Sequence, residues 1–237
     1  MDRAAWLDVL GLAADEIPEL LVTEGTWWRQ RALDRRLAPL TDVRETGMPD
    51  LWVGRLGDAR VAYCPAYGAA RVVEPIHVLG VCGTRTVIQI GSCGGLQEQV
   101  RTGDIVVSER ATIGEGASRH YGGVGVSRPS PDLVTRAAAR FAGIPVHVGP
   151  TVSTDALLRQ PAELVAQWRA AGHLGVDMET SAVFSAAAAF GMQALSLLFV
   201  WDELPGRSWT DPFTPDEVQA QAAANDATYE VALGLLA

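Results

Sequence analysis

The chain has 237 residues, of which 48% are apolar, and this is enough for one large α/β domain or two small ones, one domain being expected. Its net charge of −9 argues against nucleic acid or an anionic membrane as a partner, because both favour basic surfaces. All 19 basic residues are arginine, so Schiff-base chemistry through lysine and a phosphate-binding P-loop lysine are excluded.

The cysteines and histidines predict neither a disulfide framework nor a metal site. Cys64, Cys82 and Cys93 are scattered and form no C-x-x-C pair, and the four histidines show no ligand spacing. The first residues carry an acid early and no sustained apolar run, unlike a secretory signal. We therefore expect a cytoplasmic protein in a reducing compartment.

The predicted elements alternate between helices and strands along the chain. Residues 1–45 show helical spacing, and residues 51–63 predict a hairpin that turns at Gly57-Asp58. Further helices are predicted over 69–81, 133–142, a segment ending near 172, an alanine-rich segment after 180, and 216–236. Strands are predicted on both sides of a tight loop within 87–107, and over 146–151 and 194–201, with polar loops at 114–125 and 205–215. This alternation predicts an α/β sandwich with a mixed sheet.

The stretch 181–201 has no charged residue and is long enough to span a bilayer. Gly191 interrupts it, however, after an alanine-rich half that is typical of a packed helix. The second half reads as a fully buried strand. We therefore predict a helix followed by a core strand in this stretch.

The glycine-rich sequence 91–95 is the most informative part of the chain. Its glycines allow backbone N–H groups to approach a ligand closely, and Ser92 adds a hydroxyl, which predicts a small site for an anion or a polar nucleophile. The spacing differs from a dinucleotide fingerprint because a second strand follows instead of a helix. Cys93 has no base evident in the sequence, so a nucleophilic role for its thiol is not favoured.

Three segments, in this order, resemble the nucleoside phosphorylase superfamily, which includes purine nucleoside phosphorylases, uridine phosphorylases and methylthioadenosine-type nucleosidases. They are IGSCGGL at 90–96 with GDIVV at 103–107, GVDMETSAVF at 175–184, and FVWD at 199–202. The resemblance covers roughly residues 60–236 and implies a three-layer α/β/α sandwich around a mixed, partly closed β-sheet, assembled as a homo-oligomer. We expect a single domain over 1–237 with a divergent N-terminal segment 1–50.

Two acidic residues in these segments have the side chains that cleavage of an N-glycosidic bond requires. Positive charge develops on the ribose and negative charge on the leaving base, so the site needs an acid at the base and a partner for the sugar hydroxyls. Burial at the end of an apolar strand favours the protonated form of Asp202, and the resemblance implies that it donates to N7 of a purine. The resemblance also implies that Glu179 accepts hydrogen bonds from the 2′ and 3′ hydroxyls and that Met178 packs on the sugar. The structural alternatives are a cap for Asp202, a helix-dipole partner for Glu179 and a core position for Met178.

Other matches to the superfamily are looser. Tyr67-Gly68 occupies the place of a Gly-Met-Gly segment that borders ribose and phosphate. Leu157 stands where a phenylalanine often stacks on the base, and leucine keeps the apolar wall without the stacking. The segment 116–121 resembles uridine phosphorylases, whereas Asp202 points to purines, so the identity of the base stays open.

Two departures concern the phosphate site. Phosphorylases carry an arginine two residues before the first glycine of the central motif, where this chain has Gln89, and an N-terminal Gly-x-Pro-x-Arg loop that residues 1–50 do not show. An amide replaces a guanidinium fork poorly, and two lost cationic contacts at roughly 1.5–3 kcal/mol each weaken phosphate binding by orders of magnitude. Arg71 is either a replacement cation or a solvated surface residue.

The leading hypothesis is an enzyme that hydrolyses the N-glycosidic bond of a small purine-like nucleoside and needs no cofactor. Asp202 is the expected acid and Glu179 the expected ribose clamp. The residues expected to hold the nucleophile lie on the central motif: Gln89, Ser92, Cys93 and Gly94. Two alternatives stay open, namely a phosphorylase with phosphate as co-substrate that uses an unrecognised arginine, for instance from a neighbouring subunit, and a non-catalytic or repurposed nucleoside-binding protein.

Overall fold

The strands form one mixed sheet through the middle of the molecule. The computed structural model describes residues 1–204, 206–207 and 210–236, so Pro205, Ser208 and Trp209 of the predicted loop 205–215 lie outside the described residues, as does Ala237. The strands are β1 (Leu20–Gly25), β2 (Thr41–Glu45), β3 (Trp52–Leu56), β4 (Ala59–Pro65), β5 (Thr86–Gly95), β6 (Ile105–Gly114), β7 (Val126–Ser127), β8 (Val146–Thr154), β9 (Gly175–Asp177) and β10 (Gln193–Glu203).

Seven α-helices accompany these strands in the described part of the chain. They are α1 (Arg3–Leu10), α2 (Arg29–Leu37), α3 (Ala69–Cys82), α4 (Pro131–Ala138), α5 (Ala162–Ala170), α6 (Thr180–Ala189) and α7 (Pro215–Gly234), with a 3₁₀ helix over Ala117–Tyr121. A reciprocal capping box starts α7, in which the Thr214 hydroxyl accepts from the Glu217 N–H and the Glu217 carboxylate accepts from the Thr214 N–H.

Five strands close into a ring. β5 pairs with β10, β10 with β6, β6 with β8, β8 with β9, and β9 returns to β5. From β5 the sheet continues as an open extension through β1, β4, β3 and β2, and β7 adds to β6. β1, β5 and β10 run parallel, so their carboxyl ends meet at one edge of the sheet, which is where α/β proteins bind ligands.

Alternating side chains along the strands build two cores. In β1, Leu21 packs on the side of α1, α3 and α6, whereas Leu20 and Val22 pack with residues of α2, α4 and α7. Ile88 and Ile90 of β5 belong to this second core. The helices therefore cover both faces of a mixed, partly closed sheet, and the predicted three-layer sandwich is confirmed.

The structure also corrects two sequence predictions. The helical reading of residues 1–45 is wrong for two of its parts, because Leu20–Gly25 form the central strand β1 and Thr41–Glu45 form strand β2. The tight loop predicted at 91–95 is wrong as well, because β5 continues through Gly95 and pairs there with β9 and β10. The hairpin turning at Gly57-Asp58 is confirmed, since β3 and β4 pair across it.

The uncharged stretch 181–201 divides between α6 and β10, as predicted. In the described part of the chain, no helix is both long and apolar enough to cross a bilayer.

Candidate active site

A cavity of about 480 Å³ lies at the carboxyl ends of β1, β5, β9 and β10. Most of the residues predicted for the site line it: Asp202, Glu179, Met178, Ser92, Cys93, Gly94, Leu157 and Tyr67. Gly68 and Gln89 are not part of the lining that the described residues form. The fold thus brings together residues up to 135 positions apart in the sequence, from Tyr67 to Asp202.

Glu179 sits at the start of α6, held by its neighbours on both sides. The Asp177 carboxylate accepts the backbone N–H groups of Glu179 and Thr180, at 3.1 and 2.8 Å, and so fixes the first turn of the helix. The Gly68 N–H donates to Glu179 Oε1 at 2.6 Å. A Cβ on Gly25 would lie 2.8 Å from Glu179 Oε2, so only glycine lets β1 approach this carboxyl.

Burial raises the pKa of Glu179 to about 8, and the neighbouring charge of Asp177 adds to the shift. Hydrogen bonds from the backbone oppose this shift without cancelling it. At neutral pH the carboxyl can therefore hold its proton and act as a donor, or lose it and accept from a diol. Either state provides a hydrogen-bonding partner for two adjacent hydroxyls.

Asp202 reaches the cavity because β10 is irregular there. The pairing register with β5 shifts between Val200 and Asp202, which places Asp202 beside Gly94. The residue is 5% exposed. Burial raises the pKa of Asp202 to about 6, although the positive charge of Arg207 lowers it in part. A Cβ on Gly94 would lie 2.8 Å from the Leu204 side chain, so the glycine lets Leu204 pack closely against β5 beside Asp202.

Gln89 lies away from the cavity, inside a buried polar network. Its Nε2 donates to Asp177 Oδ2 at 3.0 Å, and its Oε1 lies 2.7 Å from the hydroxyls of Thr180 and Ser196. The amide is thus fully engaged in fixing Asp177 and the start of α6. This arrangement does not support the expected role of Gln89 in holding a nucleophile.

Ser92 and Cys93 face different surroundings within β5. Ser92 is half-buried and is part of the cavity lining. Burial raises the pKa of the Cys93 thiol well above its usual range, and the charges of Asp177 and Asp202 add to the effect. The thiolate, which is the nucleophilic form, is therefore disfavoured at neutral pH.

The arginines near the cavity come from α2, which the sequence did not assign to the site. Arg31, Arg35 and Arg36 line the cavity together with Glu24 of β1. They were missed because β1 was not predicted. A signal was present, since the run Leu-Leu-Val-Thr before Glu24-Gly25 is apolar, contains β-branched residues and ends in glycine, which is compatible with a strand. Arg71 instead binds Glu74 and the Pro49 carbonyl at the surface and does not line the cavity in the described structure.

Aromatic side chains form one wall of the cavity mouth. Trp28 stacks on Trp201 with ring centroids 5.7 Å apart, and Trp27 lies against Tyr67 at 5.8 Å. Trp27 and Trp28 are 50% and 52% exposed. Planar apolar faces therefore border the opening, where a heterocyclic base could stack.

The structure resembles solved nucleoside phosphorylases over nearly its whole length. Uridine phosphorylase from Vibrio fischeri, solved in complex with 6-hydroxy-1-naphthoic acid, superposes with a TM-score of 0.80, covers 95% of this chain and 93% of its own, and is 21% identical. A second structure of the same enzyme gives a TM-score of 0.79. At this identity the similarity shows the fold.

Sequence comparison then gives the family. A model of the phosphorylase superfamily matches residues 47–236, so the chain belongs to this superfamily. It is 33% identical over 165 residues to guanosine phosphorylase of Halorubrum lacusprofundi, covering 68% of this chain and 66% of that protein. It is 29% identical over 126 residues to a DeoD-type purine nucleoside phosphorylase of Alkaliphilus metalliredigens, covering 52% and 54%. The matched segments thus span less than two thirds of these relatives.

Proposed function

We propose that the protein is an enzyme that cleaves the N-glycosidic bond of a purine-like nucleoside with water as the nucleophile. The observation that carries the proposal is the pair of buried carboxyl groups, Glu179 and Asp202, which line one cavity with Ser92. The pKa values of both carboxyls are raised, so each can carry a proton near neutral pH. Family membership and the enzyme names of the relatives support bond cleavage, and the purine names support a purine.

The proposed reaction consumes one water molecule. The water oxygen joins C1′ as the bond between C1′ and the base nitrogen breaks, and the electron pair of that bond moves onto the base. Asp202 gives its proton to the base and regains one from the water, whose other proton stays on the new sugar hydroxyl. Glu179 binds the 2′ and 3′ hydroxyls, Met178 and Leu157 flank the substrate, and Tyr67 borders the ribose. No metal or organic cofactor is needed for this step.

Water is favoured over phosphate because the cavity lining contains several buried carboxyl groups, and its buried cation is already paired. Glu24, Asp177, Glu179 and Asp202 are buried in its lining. The guanidinium of Arg36 is occupied by Glu24, and Arg35 is bound to Asp226. A phosphate would therefore meet carboxyl groups without a free buried cation among the described residues.

Phosphorolysis is the second candidate, and one observation favours it. Arg31 lines the cavity, is exposed, and forms no ion pair with the residues that the structure describes. Its guanidinium is available to an anion that enters from the mouth. Phosphorolysis would replace hydrolysis as the proposed reaction if base release strictly required phosphate and if Arg31→Gln reduced that phosphate-dependent release.

The test is base release from a panel of purine and pyrimidine nucleosides, in phosphate-free buffer and again with phosphate. We expect purine release without phosphate, free ribose as the sugar product, and no acceleration by phosphate. Release that occurs only with phosphate, yielding a sugar 1-phosphate, contradicts the water nucleophile. A complete lack of release over the panel favours a nucleoside-binding protein without turnover.

The expected cytoplasmic location and homo-oligomeric assembly belong to the same proposal. The half-exposed Trp27 and Trp28 at the cavity mouth are compatible with burial against a second copy. Sedimentation or light scattering of the purified chain tests the assembly, and a monomer at micromolar concentration contradicts it.

A further inference from the structure

A buried ion pair between Glu24 and Arg36 lines the cavity without a part in the proposed chemistry. Arg36 Nε lies 2.8 Å from Glu24 Oε2, and Arg36 Nη2 lies 3.2 Å from Glu24 Oε1, so the guanidinium binds the carboxylate in a bidentate arrangement. The residues are only 4% and 2% exposed. Among the described residues that line the cavity, Arg36 is the one buried arginine.

This pair lies close to the place where a nucleophile would be held. Glu24 directly precedes Gly25, whose backbone lies against the Glu179 carboxyl. Gly25 is also the register partner of Gly91, and Ser92 follows Gly91 on β5. Glu24 and Arg36 thus line the same cavity as Ser92 and Glu179.

Contacts other than Glu24 hold Arg36 in place. Its Nη2 donates to the carbonyl oxygen of Asn225 at 3.2 Å and to the side-chain oxygen of the same residue. Its guanidinium carbon lies 5.0 Å from the centre of the Tyr229 ring, and the Tyr229 hydroxyl donates to the Arg36 carbonyl. The guanidinium would therefore keep its position if the charge of Glu24 were removed.

We infer that Glu24 selects the nucleophile, by filling with its own carboxylate the anion site that Arg36 would otherwise offer to inorganic phosphate. A guanidinium fork binds carboxylate and phosphate oxygens in the same two-pronged way, so only one of them can occupy it. A phosphate beside the intact pair would also meet the negative charge of Glu24. This inference rests on the proposed glycosidic cleavage and adds the residue that keeps phosphate out.

The variant Glu24→Gln tests this inference, because it removes the negative charge, and the neutral amide that remains binds a guanidinium weakly enough for phosphate to displace it. With the charge of Glu24 removed, Arg36 keeps only the longer contact to the half-exposed Asp226, at 3.5 Å. An oxygen of hydrogen phosphate can then attack C1′ while the electron pair of the broken bond moves to the base, which takes the proton of Asp202, and Asp202 regains the proton of the phosphate. The products are a sugar 1-phosphate and the free base, and no water is consumed. We expect phosphate to accelerate base release at least tenfold in the variant and to leave the wild-type rate unchanged.

Binding is measured separately from turnover, by thermal unfolding with inorganic phosphate as the probe. We expect 10 mM phosphate to raise the Tm of Glu24→Gln by about 5 °C, and potassium chloride at equal ionic strength to have no such effect. The wild type and the double variant Glu24→Gln/Arg36→Gln should not respond to phosphate. A purely structural ion pair predicts lower Tm values but no specific response to phosphate.

Glu24→Asp provides a second variant, in which the shorter side chain withdraws the charge from the fork. If either variant folds and responds to phosphate no more than the wild type does, the inference is overturned. Variants that fail to fold without phosphate should fold when it is present, and failure under both conditions also overturns it. The proposed hydrolysis is tested separately, and it is contradicted if the wild-type enzyme releases no base in phosphate-free buffer.

Discussion

Asp202 can act as an acid only while its carboxyl keeps the proton. Since the pKa of Asp202 is raised to about 6, the protonated fraction falls tenfold for each pH unit above that value. We expect kcat/KM for a purine nucleoside to fall above pH 6 with this slope. Asp202→Asn should lose at least a hundredfold in kcat and retain its far-UV circular dichroism.

A neighbouring acid on the same strand provides the control for Asp202. Glu203 binds Arg101 and the Thr102 N–H and lies outside the cavity lining of the described residues, so Glu203→Gln should keep the rate at low pH. Because the charge of Glu203 is the smallest contribution to the raised pKa of Asp202, the pH profile of this variant should shift only a little, towards lower pH. Equal losses in the two variants would point to damage of β10. An unchanged rate in Asp202→Asn would remove Asp202 from the mechanism.

Glu179 should discriminate between sugars. If its carboxyl binds the 2′ and 3′ hydroxyls, Glu179→Gln weakens two contacts to a ribonucleoside but only one to a 2′-deoxynucleoside. We expect kcat/KM to fall about tenfold more for the ribonucleoside, which corresponds to about 1.4 kcal/mol. Measurement of both substrates with both proteins checks this, and equal losses contradict the ribose role.

At the scale of elements, β1 decides whether the cavity is correctly shaped. The backbone of Gly25 lies so close to Glu179 that a Cβ would stand 2.8 Å from its carboxyl oxygen. Gly25→Ala should therefore displace Glu179 and lower kcat/KM at least tenfold in a folded protein, because small misplacements of reacting groups are costly. Gly116→Ala is the control, since nothing lies within 4 Å of a Cβ there.

The outcome that would contradict this role of β1 is an active Gly25→Ala enzyme with unchanged KM. Such a result would mean that Glu179 can shift without loss, and that the close approach of β1 serves packing alone. Equal losses in Gly116→Ala would instead show that the assay reports general instability.

Elements with strong periodicity were predictable, and the central strand was not. The hairpin around Gly57-Asp58 and the helix α3 follow from turn residues and local apolar spacing. β1 is only six residues long, and a short apolar run of this kind fits either a strand or part of a buried helix. Pairing with β4 and β5, which lie far along the chain, decides its conformation.

The candidate site shows the same limit. The resemblance of the motifs to the superfamily pointed to Glu179 and Asp202, and both of them line the cavity. Spacing could not show that Gln89 points away from the cavity, because the partners of its amide, Asp177, Thr180 and Ser196, come from distant parts of the chain. The contribution of Arg36 depends on α2 packing beside α7, which no local pattern reveals.

At the scale of the whole molecule, the buried carboxyl group of Glu179 couples folding to pH. Its pKa is about 8 in the folded protein against an ordinary value of 4.5, so the folded state keeps a proton that the unfolded state releases between these values. The free energy of unfolding should therefore decrease as pH rises from 4.5 to 8. Each pKa unit corresponds to about 1.4 kcal/mol, so the loss at pH 8 is on the order of a few kcal/mol.

Glu179→Gln should remove this dependence, because the amide keeps an oxygen for the Gly68 N–H and has no charge to bury. We expect the variant to match the wild type near pH 5 and to exceed it by a growing margin towards pH 8 in urea unfolding. Other titrating groups are common to both proteins, so their contributions cancel in the difference. Glu98→Gln, at an exposed position, serves as the surface control. A constant difference across this range would show that Glu179 keeps an ordinary pKa, and its carboxylate would then be permanently charged in the cavity.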